Sequence, residues 1–469
     1  MSGAPQLPLD RVVRGRVRED RAAREAAGHD ESPVTGMPRA VVAPADTEDI
    51  VSLVRWARTY RVPLVARGAG TSLDGESVPP DGAIVVDLSA WDTVAEISAD
   101  ERTARVGPGV VNRSLQTAVR PYGLFFPPNP GSWTRSTIGG NVATNASGPR
   151  SFRYGATRAW VRALEVVLGN GERVRLGTRA AKRSVGPDLL GLVVGSEGTL
   201  GIVTEVTVRL EPIPPIRRGL VVPVGERVAL GALAARLARA ATGGLSAVEY
   251  VDRASAQALA DLGRPIGPAG SAWLLLEIEA NDAAEAKARL GRLEAVLASA
   301  ELPSGSVPFD DADELWTRRG ESGTALDARL GPRIREDVAV PLGRTDDLLT
   351  ELGRISIEER APLYLYGHLG EGSLHPNFAI DPRSPAAAKV RARTLEAALA
   401  LGGTISAEHG IGQIKRPFVE RELGRAAVAW LWAVKSWCDP DGILNPGKLY
   451  PNPRVDAGSS ALPSVARGH

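Results

Sequence analysis

Three segments made almost entirely of small, hydroxyl or amide residues stand between residues 67 and 203, each beside a stretch that reads as a β-strand. The first, Arg67-Gly-Ala-Gly-Thr-Ser-Leu-Asp-Gly75, follows the apolar run Val62-Pro-Leu-Val-Ala66. In that context successive backbone N–H groups can wrap a phosphate. The segment is not a Walker loop, because it lacks Gly-Lys-Ser/Thr. It also misses G-x-G-x-x-G, because Leu73 stands where the third glycine belongs. Alone it could be a plain turn that ends a strand. The second segment, Ser136-Thr-Ile-Gly-Gly-Asn-Val-Ala-Thr-Asn-Ala-Ser-Gly148, lets backbone approach a large polar ligand while offering it donors. The third, Gly195-Ser-Glu-Gly-Thr-Leu-Gly-Ile-Val203, repeats that chemistry just before a strand. Three such loops in one region are hard to explain as turns.

Strand and helix patterns alternate around them. Arg39 to Ala43, Val62 to Ala66 and Ile84 to Leu88 read as strands, and Thr47 is placed to cap a helix through Ala57. Pro127 to Gly155 reads as loop, followed by alternating strands at Ala163 to Leu168, Val174 to Leu176 and Val193 to Leu210. Pro212, Pro214 and Pro215 mark a linker. Beyond it, strands at Leu220 to Val224, Ala247 to Val251 and Trp273 to Glu279 alternate with Ala-rich helices, which predicts an α+β domain with an antiparallel sheet. The expected organisation is an N-terminal helical segment (1–33), a ligand-binding domain (34–215), a second domain (216–420), a returning segment (421–452) and a disordered tail (453–469).

At 469 residues the chain exceeds one ordinary core. Lys+Arg 56 against Asp+Glu 55 leaves a formal charge of +1, so no basic field exists for nucleic acid. The arginines from Arg11 to Arg24 are interrupted by Glu19 and Asp20, which fits a solvated helix better than a targeting one. No apolar run approaches the ~20 residues that span a bilayer. The single cysteine, Cys438, excludes an intrachain disulfide and a cysteine-ligated iron–sulfur cluster. The expectation is a cytoplasmic protein, with peripheral attachment to the inner face of the membrane left open.

Of five histidines, three fall in two glycine-rich motifs, G-H-L-G-E-G-S-L-H-P-N (His368, His375) and S-A-E-H-G-I-G (Glu408, His409). Imidazole binds transition metals and moves protons near neutral pH. Tyr364 to Tyr366 and Leu374 to Phe378 predict a hairpin turning near Glu371-Gly372, with His368 and His375 opposite one another. Gly403 to Ala407 is expected as a strand that delivers Glu408 and His409. Two imidazoles and a carboxylate suit Zn²⁺, Mn²⁺ or Fe²⁺ with positions left for substrate. Each histidine could instead be a hydrogen-bonded turn residue, but three in two Gly-flanked motifs favour the metal reading.

The motifs R-G-A-G-T-S, P-P-N-P-G-S, T-I-G-G-N-V-A-T-N-A and G-S-E-G-T-L-G-I-V-T stand in the order found in the FAD-binding fold of the vanillyl-alcohol-oxidase and p-cresol-methylhydroxylase (PCMH) superfamily, which residues 34–215 resemble. The resemblance implies two α/β subdomains in which Arg67, Gly68, Ala69, Gly70, Thr71 and Ser72 hold the FAD pyrophosphate. It implies Pro128, Ser136, Thr137, Gly139, Gly140, Asn141, Thr144 and Gly148 along the flavin, and Glu197, Gly198, Ile202 and Val203 near the adenosine. Thr71 stands where some relatives carry a flavin-tethering histidine, so non-covalent FAD is expected.

From about residue 216 to Tyr450, G-H-x-G-x-G-x-L-H-x-N, A-E-H-G-I-G and I-L-N-P-G-K resemble the C-terminal, ferredoxin-like substrate domain of FAD-linked 2-hydroxy-acid dehydrogenases and oxidases. That family includes D-lactate dehydrogenase, glycolate oxidase and D-2-hydroxyglutarate dehydrogenase. The resemblance implies His368, His375 and Glu408 as ligands of a divalent metal, with zinc expected ahead of manganese or iron. It implies His409 as catalytic base, Arg319 as the catalytic, carboxylate-binding arginine, Arg335 and Asn377 as further substrate contacts, and Asn445 near the flavin ring. The implied reaction is metal-assisted oxidation of a D-2-hydroxy acid (D-lactate, glycolate or similar) to the 2-oxo acid, with hydride passing to flavin N5. Glu371 and Ser373 replace the Asp and Asn of the usual G-D-G-N-L-H, and Gly323 replaces a threonine of the hydroxyglutarate enzymes. Two rival readings are a non-redox enzyme like the alkyl-dihydroxyacetone-phosphate synthases and a non-catalytic subunit of a glycolate oxidase. The electron acceptor is left open among quinone, a cytochrome, an iron–sulfur subunit, an electron-transfer flavoprotein and oxygen, and so is a homodimer.

Overall fold

Ile50, Leu53, Val54 and Ala57 recur at helical spacing along Thr47–Tyr60, and each is buried against the sheet beneath. Full burial of each larger side chain contributes about 1.5–3 kcal/mol. Asp46, rather than the expected Thr47, caps this helix by accepting from the Asp49 N–H at 3.2 Å. The computed structural model describes residues 8–451 apart from 226, 227, 242, 269, 301, 303–306, 310 and 311. The expected tail therefore lies outside the described residues.

Strands Ala40–Ala43, Ile84–Asp87 and Leu64–Arg67 run parallel, as short Val- and Ile-rich runs buried on both faces do. Arg16–Arg18 adds an antiparallel edge to them. The N-terminal segment is thus not one helix: this strand precedes a short helix, Arg21–Ala27. The buried Asp49 carboxylate explains it, because it accepts from the N–H groups of Arg14, Gly15 and Ala45 and so ties residues 14–15 to the sheet. A five-stranded antiparallel sheet follows, in the order Val94–Ser98, Thr103–Val106, Gly201–Arg209, Val161–Leu168 and Arg173–Gly177. The segment expected as loop from Pro127 to Gly155 contains a real helix, Ile138–Thr144, capped by Thr137. Ile138 and Val142 sink into the core of the five-stranded sheet, which leaves Gly139 and Gly140 on the outer side.

The second half is one large antiparallel sheet. Its path runs Val307–Phe309, Ile216–Val224, Ala272–Ala280, Leu245–Val251, Leu363–Gly367, Ser373–Phe378 and Ile334–Arg335, and Val338–Ala339 also pairs with Ser373–Phe378. Residues 403–407 form a single bridge from Thr404 to Ala339 rather than the expected strand. The chain then returns to the first sheet: the Leu64 N–H donates to Ile443 O, and Asn445 N–H donates to Leu64 O, both at 2.8 Å. No helix among the described residues is long and apolar enough to cross a membrane.

Candidate active site

Between the two halves lies a cleft of about 2200 Å³, its open mouth included. Its floor is the first glycine loop and the helix Ile138–Thr144. A Cβ on Gly68 would lie 2.3 Å from Thr137 Oγ1, and one on Gly139 would lie 2.6 Å from Pro108 Cβ. Gly70 takes φ +67°, and its absent side chain makes room for the Arg67 guanidinium. Ala69, Thr71, Ser72, Ser136, Asn141, Thr144, Glu197, Gly198 and Val203 also line the cleft. The buried Ser136 Oγ and Asn141 Nδ2 have no hydrogen-bond partner among the described groups. Donors left this way beside a cradle of backbone suit a large ligand rich in acceptors, and FAD is such a ligand.

Four residues expected along the FAD, Pro128, Gly148 and Asn445 at the flavin and Ile202 near the adenosine, stand behind the wall instead. Ile202 is fully buried in the core between the sheets, and Pro128 turns its carbonyl to Asn112 Nδ2 at 3.0 Å. Gly148 packs against the Asn129 backbone, where a Cβ would meet its carbonyl oxygen at 2.2 Å. Asn445 spends its amide on Glu76 O and Glu197 O, at 2.8 and 2.7 Å.

Across the cleft, His375 sits within a strand and His368 just past the end of its neighbour. Tyr366, not His368, is the cross-strand partner of His375. The short 3-10 turn Leu369–Glu371 and Gly372 at φ +71° bring the two rings together nonetheless. Their Nε2 atoms are 3.2 Å apart, and Glu408 Oε1 lies 3.1 Å from one and 3.4 Å from the other. Each imidazole is backed by a carboxylate: Glu249 Oε1 is 2.6 Å from His368 Nδ1, and Asp337 Oδ1 is 3.4 Å from His375 Nδ1. Carboxylate-backed imidazoles that turn their outer nitrogens toward one carboxylate oxygen form a donor set that fits a divalent ion. Burial works against charge here, yet Glu249 and Glu408 raise the His368 pKa well above its usual value. His368 in turn holds Glu408 well below the carboxylate range.

His409 stacks on His375 with ring centroids 5.0 Å apart and planes 5° from parallel. Burial, against the pull of Asp337 and helped by His375 and Lys415, pushes its pKa down to about 4. Its imidazole is therefore neutral near pH 7. The turn that carries it hangs between two carboxylates. Asp337 Oδ2 accepts from the N–H groups of Ala407, Glu408 and His409 at 2.7–2.8 Å, while Glu197 accepts from Ile411 and Gly412 at 2.7 and 3.0 Å. Glu197 thus supports the histidine turn while it faces the cleft.

Arg319 is buried, with its guanidinium 4.7 Å from the Tyr366 ring centre and Nη2 2.7 Å from Glu249 Oε2. Its Nε has no hydrogen-bond partner among the described groups. Arg335 lines the cleft and is paired with Asp327. Asn377 also lines it, but both ends of its amide are engaged, by Arg333 Nε and by His375 O, at 2.9 Å each. It braces His375 rather than presenting a free amide. Sequence reasoning missed Glu249, Asp337 and Arg333. The signal for Glu249 was a lone carboxylate inside the apolar strand Leu245–Val251.

Comparisons with known proteins support the FAD reading of the cleft. A family model described as FAD binding domain matches residues 38–177, and one described as FAD linked oxidases, C-terminal domain, matches residues 213–449. The chain is 36% identical over 446 residues to glycolate oxidase subunit GlcD of Bacillus subtilis (strain 168), covering 92% of this chain and 93% of that one. It is 33% identical over 458 residues to D-2-hydroxyglutarate dehydrogenase of Stutzerimonas stutzeri (strain A1501), covering 94% and 97%. Among solved structures, p-cresol methylhydroxylase with substrate bound matches with a TM-score of 0.79 at 15% identity, over 93% of this chain and 94% of that one. That last likeness is one of fold.

Proposed function

This chain belongs to the FAD-linked oxidases, and from that premise we propose that it oxidises a D-2-hydroxy acid to the 2-oxo acid with the help of a divalent metal. It is an FAD-linked oxidoreductase of the hydroxy-acid dehydrogenase and oxidase kind, built as a PCMH-type FAD-binding fold joined to an antiparallel-sheet domain. The observation that carries the finer reading is the convergence of His368, His375, Glu408 and His409 on the cleft that the glycine loops open.

When bound, non-covalent FAD supplies the two-electron acceptor and a divalent ion supplies positive charge beside the substrate oxygens. His368, His375 and Glu408 hold that ion, and Glu249 and Asp337 fix the orientation of the two imidazoles. The Arg319 guanidinium, whose Nε is unclaimed, pairs with the substrate carboxylate. Neutral His409 takes the hydroxyl proton, and Asp337 behind it steadies the imidazolium that forms. The His375–His409 stack and the tilted Tyr366 ring line the cleft beside the substrate. Arg335 meets the far end of a longer acid, at the cost of its pairing with Asp327.

Turnover of the purified flavoprotein with glycolate, D-lactate and D-2-hydroxyglutarate, coupled to an artificial electron acceptor, tests this reading. Stoichiometric 2-oxo acid from at least one substrate, lost in His409→Ala, is expected. Undiminished turnover in His409→Ala would remove the base from its role.

A further inference from the structure

The last helix carries an unusual outer face. Val419–Cys438 is broken at Gly424 (φ 75°, ψ 160°), so one regular stretch runs from residue 425 to its end. On its inner side Val428, Leu431, Val434, Lys435 and Cys438 pack against the core, with Lys435 Nζ bonded to Thr199 O, Asp439 and Leu444 O. On its outer side Ala426, Trp430, Ala433 and Trp437 are exposed, Trp430 at 81% and Trp437 at 69%. Their spacing is four, three, four, the seam of a two-helix coil. Beside them stand Ala427, Ala429 and Ser436, also exposed and uncharged. From residue 426 to 438 the one charged side chain, Lys435, is turned inward.

From this face we infer that two copies of the chain associate through antiparallel pairing of these helices. The pattern fits itself under a twofold axis, which a closed dimer of identical chains uses most often. With the axis midway between Ala426 and Trp437, each Trp437 falls on Ala426 of the second copy and each Trp430 on its Ala433. Every layer then sets one large side chain against one small one, the arrangement that fills space without overlap. A parallel pairing would instead set Trp on Trp and Ala on Ala. Arg425, at the helix start, meets the carbonyl end of the other helix at Cys438, where positive charge is favoured. Trp430 and Trp437 offer roughly 350 Å² of side chain, while Trp432 is turned away to Tyr450 and Pro451 O. The exposed alanines and Ser436 extend that toward the ~800 Å² per chain of a standard interface. The absence of outward charge argues against an anionic lipid surface as the occupant, since such helices carry Lys or Arg beside their apolar face.

Sedimentation velocity of the full-length flavoprotein at micromolar concentration tests this. The expected result is a dimer that Trp430→Glu, Trp437→Glu and Ala433→Trp each weaken at least ~100-fold. The flavin spectrum should be unchanged in all three, and the swapped double variant Trp430→Ala/Ala433→Trp should restore the dimer. A wild-type monomer, or a dimer indifferent to Trp430→Glu, overturns the proposal, and a double variant that stays monomeric overturns the paired register. A monomer that dimerises only after removal of residues 452–469 assigns the face to the chain's own tail. A monomer that floats with neutral lipid vesicles through Trp430 assigns it to a membrane. Either of those results also overturns the proposal.

Discussion

Where residues 67–203 wall the cleft, contact is offered mainly by backbone, by glycines and by the short helix Ile138–Thr144 with its Thr137 cap. Across the cleft, residues 249–409 offer buried charge: Glu249, Asp337, Glu408 and Arg319, all paired within the protein. A wall of backbone is specified by what is missing from it, since a single Cβ on Gly68 would displace Thr137. A wall of charge is specified by partners, since removing one group leaves another buried and uncompensated. The first wall should therefore fail by steric exclusion of FAD, and the second by loss of chemistry with FAD still in place.

The largest expected effect is on the charged wall. Glu408→Ala or His368→Ala should abolish turnover and metal binding, measured by steady-state kinetics and metal analysis, with the visible flavin spectrum retained. Loss of FAD from either variant would break the separation of the two walls. His409→Ala should lower kcat by about 10²–10⁴-fold with metal content unchanged. Gly68→Val should yield protein depleted of FAD with its metal still bound; a yellow, fully loaded variant would show that the loop does not approach the cofactor. Glu249→Gln and Asp337→Asn should each weaken metal affinity about 10–100-fold, as followed by chelator competition. The smallest effect belongs far from both walls: Asp46→Ala should cost about 1 kcal/mol in urea denaturation and leave kcat and KM alone.

The glycine loops were legible in the sequence because close backbone approach demands glycine locally, so the motif and its cause lie together. The histidine motifs were legible for a similar reason, although the hairpin register was not. A 3-10 turn, which the sequence pattern does not announce, moves His368 beyond the strand end. The carboxylates that hold the site in shape were missed. Glu249 comes from the strand Leu245–Val251 and Asp337 from the short link between Ile334–Arg335 and Val338–Ala339, and their roles arise only when the fold sets them behind His368 and His375. A carboxylate embedded in an apolar strand is the one local sign that Glu249 leaves. Ile202 shows the reverse error: it stands between the cleft-lining Gly201 and Val203, but strand alternation points it into the core, while Asn445 is turned to the carbonyls of Glu76 and Glu197. The N-terminal strand was hidden because its anchor, Asp49, lies on a helix more than thirty residues further on.

The most direct test of the central claim is anaerobic mixing of the purified yellow protein with paired D- and L-2-hydroxy acids, before and after treatment with chelator. At least one D-2-hydroxy acid should bleach the flavin absorbance while its L counterpart does not. Chelation should stop the bleaching, and added divalent metal should restore it. A flavin that no hydroxy acid reduces, or that is reduced equally well after complete metal removal, would contradict that claim.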